Sequence, residues 1–94
     1  MKKNDLRNYD IIVLTDDEKA ILRSLPKEYK FIVRDKNGSL YVYKDKPLKG
    51  NACWYSNYEY DTIYLFDHLF NSIKFEDEEP YSIEDLLKES ENDD

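Results

Sequence analysis

Glycine and proline are scarce in this 94-residue chain, with two and three copies. That scarcity excludes a collagen-like repeat or a Gly/Pro-rich linker polymer. Cys53 is the single cysteine, so an internal disulfide is excluded, in keeping with a reducing compartment. The reading for Cys53 is a small, half-buried hydrophobe. His68 is the single histidine, set between Asp67 and Leu69. No serine, cysteine or second histidine stands at a recognised catalytic spacing from it, and it reads as a partly buried or helix-side residue. No catalytic residue is therefore assigned, and an enzyme built on His68 and Cys53 ranks last among the readings. Long apolar runs are also missing, and nothing approaches the roughly 18–20 residues that span a bilayer. Ile11-Ile12-Val13-Leu14 is too short for a signal-peptide core. The expectation is a soluble, cytoplasmic protein that works where it is made.

Charge and aromatics are plentiful. Charged residues make up 37% and hydrophobic residues 40% of the chain, which supports a folded domain over a disordered polymer. A chain of this length buries roughly 60–65% of its unfolded surface, enough for one small core. The net charge of −7 is distributed unevenly. Residues 76–94 hold ten acids against Lys88 alone, a net −9, so residues 1–75 carry +2. Nine tyrosines contribute rings that bury area while the hydroxyl stays wet.

Local signals give an element order. Residues 1–10 are polar and are expected to be flexible. Thr15 followed by Asp16, Asp17 and Glu18 is a capping box with acids in the first turn. A helix over 16–24 follows, stopped before Pro26, with Ile21, Leu22 and Leu25 on its apolar face. Runs 30–34 and 40–43 flank Asp35-Lys36-Asn37-Gly38-Ser39 and form a hairpin, Gly38 taking the left-handed position. The register sets Ile32 against Val42 and Arg34 against Leu40 on one face, and Phe31 against Tyr43 and Val33 against Tyr41 on the other. Residues 45–51 read as a loop and 52–55 as a third strand. Residues 63–70 suit a short helix or turn packed by Leu65, Phe66, Leu69 and Phe70. Residues 72–75 alternate like a strand with Ile73 and Phe75 inward. Ser82 caps a last helix whose Ile83, Leu86 and Leu87 face the core.

Two surfaces qualify as candidate sites. Glu76-Asp77-Glu78-Glu79, with Glu84 and Asp85, form an acidic stretch. It lacks the spacing and the glycine of a calcium loop, so no metal is expected, and no cofactor motif is present. Its bland reading is a solvated linker. Its sharper reading is a surface that imitates nucleic-acid phosphates and engages a basic protein groove. Trp54 and Tyr55 are candidate aromatic anchors beside it, since an aromatic patch on a small acidic protein is more often a protein interface. The alternative site is the hairpin itself. Lys30, Arg34, Lys44 and Lys46 with nearby aromatics suggest a nucleic-acid-associated regulatory module, although the overall sign of the chain opposes direct binding to phosphates.

The segments LTDDEKAILRSLPKEYKFIVRDKNGSLYVYKDKP, a lone Trp54 and FDHLFNSIKFEDEEPYSIEDLL span Leu14 to Leu87. In this texture the chain resembles a group of small uncharacterised proteins encoded by bacteriophages and prophages of low-GC Gram-positive bacteria. The fullest agreement is LF-x-x-I-K-aromatic-E-D-E-E-P-Y at Leu69–Tyr81, where Phe75 stands in place of a more usual tryptophan. That group has no settled activity, so the resemblance carries over no catalytic residue. It implies expression in the cytoplasm of an infected host cell and an accessory role, including inhibition of host defence. By class alone, small acidic phage proteins of other families block restriction or CRISPR nucleases at their DNA sites.

The expected fold is α+β: one domain over 11–90, with a small antiparallel sheet made of hairpin 30–43 and one or two short strands. An N-terminal and a C-terminal helix pack on it, and residues 91–94 form a flexible acidic tail. The expected function is non-enzymatic binding of a host or phage protein, such as a nucleic-acid-binding nuclease, through Glu76, Asp77, Glu78, Glu79, Glu84 and Asp85, with Trp54 and Tyr55.

Overall fold

The computed structural model describes residues 12–91. The expectations for residues 1–10 and 92–94 lie outside the described residues. The fold is α+β, as the local signals predict. Helix α1 spans Asp16–Ser24. Strands β1 (Phe31–Arg34), β2 (Leu40–Tyr43), β3 (Leu48–Lys49), β4 (Trp54–Tyr55) and β5 (Tyr60–Thr62) follow. A 3-10 turn at Tyr64–Phe66, strand β6 (Tyr81–Ser82) and helix α2 (Ile83–Glu91) complete the order.

The Thr15 capping box forms in full. Thr15 Oγ1 accepts from the Glu18 N–H at 3.1 Å, and Glu18 Oε1 accepts from the Thr15 N–H at 3.0 Å. Leu25, ahead of Pro26, is extended at ψ 149° and ends the helix. The hairpin has the expected register, Ile32 on Val42, Arg34 on Leu40, Phe31 on Tyr43 and Val33 on Tyr41. Gly38 has φ +98°, and a β-carbon built there meets nothing within 4 Å. Gly38→Val is therefore a test of backbone strain alone. It is expected to cost about 1 kcal/mol or more in a urea titration.

The four-stranded antiparallel sheet has the order β5-β2-β1-β6, and β3 with β4 makes a separate ribbon. Alternation along β1 and β2 sends their side chains to two cores. Ile32, Leu40 and Val42 join Leu14, Leu22, Phe70, Ile73, Ile83 and Leu86 in the larger one, beneath both helices. Val33 and Tyr43 join Trp54 in the smaller one, with Phe31, Tyr41 and Phe75 packed against it. Both faces of the hairpin are thus covered, the tyrosine face by the β3–β4 ribbon.

Several expectations are corrected. Leu48–Lys49 is a strand inside the expected loop, and only 54–55 of the expected strand 52–55 is one. Gly50 closes their turn, its N–H donating to the Cys53 carbonyl at 2.8 Å. Residues 72–75 form turns rather than a strand. The Ile73 carbonyl is taken by Arg34 Nε at 2.8 Å and the Lys74 N–H by Asp77 at 2.9 Å, so neither enters a ladder. Ile73 and Phe75 also go to different cores. Leu65 is 68% exposed, whereas Phe66, Leu69 and Phe70 do pack. The edge strands β5 and β6 carry no local signal strong enough to predict them.

Candidate partner-binding site: an ordered acidic loop

The acidic stretch begins at a turn that Asp77 closes. Its N–H donates to the Lys74 carbonyl at 3.2 Å. Its Oδ2 accepts from the Lys74 N–H at 2.9 Å and from the Tyr81 hydroxyl at 2.8 Å. Lys49 Nζ donates to the Asp77 carbonyl at 2.9 Å and lies 4.6 Å from the Phe75 ring centroid and 5.7 Å from that of Trp54. The smaller core, the ribbon and the acidic loop are therefore tied together through Lys49 and Asp77. The Asp77 carboxylate is turned to the protein, half-buried and doubly hydrogen-bonded.

Glu76, Glu78 and Glu79 are exposed. Glu79 meets Lys46 at 3.2 Å with both side chains more than 60% exposed, a pair worth about 0–1 kcal/mol. After Pro80, Ser82 Oγ accepts the Asp85 N–H at 3.2 Å and starts α2. Asp85 returns to the same place as the loop. Glu76, Asp77, Glu78, Glu79 and Asp85 line one cleft, whose apolar part is Ile12, Pro80 and Leu86. Glu84 falls elsewhere, lining a different groove with Lys27, Lys30 and Lys88.

The aromatic pair divides as well. Trp54 is 4% exposed and lies in the smaller core, so it is no surface anchor. Its N–H donates to Asp35 Oδ1 at 3.0 Å, and its carbonyl accepts from the Tyr43 hydroxyl at 2.9 Å. Burial raises the pKa of the Asp35 carboxyl, the Trp54 N–H opposing, and raises that of Tyr43 strongly. The indole Nε1 has no hydrogen-bond partner among the described residues. Tyr55, by contrast, is 52% exposed and sits opposite Leu48, itself 59% exposed.

Three of the four hairpin cations have partners within the protein. Arg34 gives every guanidinium donor to backbone carbonyls: Nε to Ile73, Nη1 to Gly38 and Asp67, Nη2 to Leu69 and Phe70. Burial lowers its pKa and neighbouring Asp67 raises it. Lys44 bonds Glu59, and Lys46 bonds Glu79. Lys30 alone of the four has an exposed side chain without an ion pair among the described residues. Cys53 is exposed rather than half-buried, and His68 is exposed as well.

Among the described residues, no group of three or more His, Cys, Asp or Glu is placed to hold a metal ion. No helix among them is long and apolar enough to cross a membrane. The inward role of Asp77 was not visible in sequence, because nothing local distinguishes it from its three acidic neighbours. Its spacing from Lys74 and Tyr81 is the one usable hint. Comparison with protein-family models, curated proteins and solved structures returns no match, so function is read from the chain's own geometry.

Proposed function

We propose that this chain is a non-enzymatic accessory protein that binds a basic surface of another protein through Glu76, Glu78, Glu79 and Asp85. In its most specific form the reading is a phage-encoded inhibitor that occupies the DNA groove of a host defence nuclease by imitating phosphates. The observation that carries it is the Asp77 turn. Asp77 anchors the turn, so its exposed neighbours Glu76, Glu78 and Glu79 are carried on an ordered backbone along one cleft with Asp85. Preorganised charge of one sign steers a complementary partner and loses little on ordering. Lys46 is held only by a surface pair, so a partner cation can replace it at Glu79. The competing reading, a nucleic-acid module on the hairpin, is weakened because Arg34 gives all its donors to backbone carbonyls.

The test uses E76K/E78K/E79K and leaves Asp77 in place, since changing Asp77 would open the turn. Exposed charges contribute little to stability, so the melting temperature should stay near that of the parent. Association with a protein captured from bacterial host lysate should slow by about tenfold or more. It should weaken as salt rises past the point where the Debye length falls below ~8 Å, and duplex DNA should compete. Binding that ignores salt and survives in the lysine variant would remove this reading and direct attention to Tyr55 and Leu48.

A further inference from the structure

Helix α2 separates two recesses of opposite sign. Asp85 and Leu86 face the acidic cleft, while Ile83, Glu84, Leu87 and Lys88 line a second groove against the end of α1 and the turn that follows it. The floor of that groove is apolar, with Leu22, Leu25, Tyr29, Ile83 and Leu87. Its rim carries Lys27, Lys30 and Lys88, all exposed, with Glu84 the one acid among its lining residues. Lys88 suits the last turn of a helix, where a cation favours the dipole. Lys27 and Lys30 lie outside any helix and have no such local reason to be there.

We propose that this groove docks an acidic amphipathic helix of a partner protein. Apolar anchors at i, i+3, i+4 and i+7 would sit over Leu25, Tyr29 and Leu87, and flanking carboxylates would meet Lys27, Lys30 and Lys88. The sign of the rim selects the partner, because a cationic edge around an apolar floor complements that composition and repels a basic one. A nucleic-acid backbone has no use for the leucine floor. A membrane surface is met by protruding apolar groups rather than a recess between two helices. The inference is independent of the acidic cleft, since the two recesses share only Ser82.

The experiment titrates the isotope-labelled chain with a synthetic helix carrying leucine at i, i+3, i+4 and i+7 and glutamate elsewhere. Its twin carries lysine in place of glutamate. Amide shifts are expected at Leu25, Tyr29, Lys30 and Leu87 with the glutamate peptide only. K27E/K30E/K88E, which changes exposed side chains, should weaken that peptide by about tenfold or more and gain affinity for the lysine peptide. The proposal is overturned if the glutamate peptide leaves these amides unmoved or if both peptides bind equally. It is also overturned if phosphatidylglycerol vesicles or a DNA oligonucleotide move the same amides, or if sedimentation shows a second copy of the chain burying the groove.

Discussion

Replacing Arg34 with methionine is expected to destabilise the protein by about 3–5 kcal/mol, a large share of the stability typical of a small domain. The side chain reaches from β1 beneath the 67–73 loop, where its donors hold five carbonyls at 2.6–3.0 Å. Methionine fills similar space but gives none of them a partner. Charge-assisted bonds of this kind are about twice as strong as neutral ones, and part of the site is shielded from water. Arg34→Lys keeps the charge but offers one nitrogen where the loop is shaped around a planar fork, so roughly half the loss should remain. Urea titration checks both, and R34M should melt roughly 12 °C or more below the parent. If R34M unfolds within about 1 kcal/mol of the parent, the loop is held by its packing instead.

Phe70→Ala is the second large effect, expected at about 3–5 kcal/mol. Phe70 is fully buried in the larger core and is the one described non-glycine residue with positive φ, at 57°. Its N–H donates to Glu18 Oε2 at 2.7 Å, and its carbonyl accepts from Arg34. Those two bonds hold the backbone in the left-handed region while the ring fills the core. Substitution to alanine empties the core and leaves the backbone strained. Phe70→Gly empties it further but removes the strain, so glycine should be no worse than alanine here. That reverses the usual cost of about 0.5–1 kcal/mol for glycine. A glycine variant clearly weaker than the alanine variant would show that the left-handed conformation carries no strain at this position.

The same residues mark how far the sequence could be read. Glu18 was legible as a capping residue because its partner Thr15 is three positions away. Its other oxygen serves Phe70, 52 residues further on, and no local pattern announces that bond. Arg34 was legible only as a cation on a hairpin strand, and was counted toward a nucleic-acid surface. Its acceptors lie mostly 33–39 residues away, and they show it to be a clamp on the loop. Trp54 read as a surface aromatic because an aromatic pair on a small acidic protein is more often a protein interface. The second core that hides it exists only after β3 and β4 pair and close over Val33 and Tyr43.

The sequence by itself determined α1 with its capping box, the hairpin with its register and glycine, α2 with its serine cap, and the concentration of negative charge after residue 75. Each follows from forces acting within a few residues: hydrogen bonds at helix ends, the period-two alternation of a strand, a turn that needs positive φ, and the count of charges. Tertiary structure alone decided the path from Phe70 to Pro80, the edge strands β5 and β6, and which acids face outward. In that stretch side chains from distant elements satisfy the backbone, so its conformation is set by Arg34, Glu18 and Asp77. Asp77 accepts bonds from Lys74 and Tyr81 and turns inward, while Glu76 and Glu78 stay in solvent and Glu79 makes only a surface pair with Lys46.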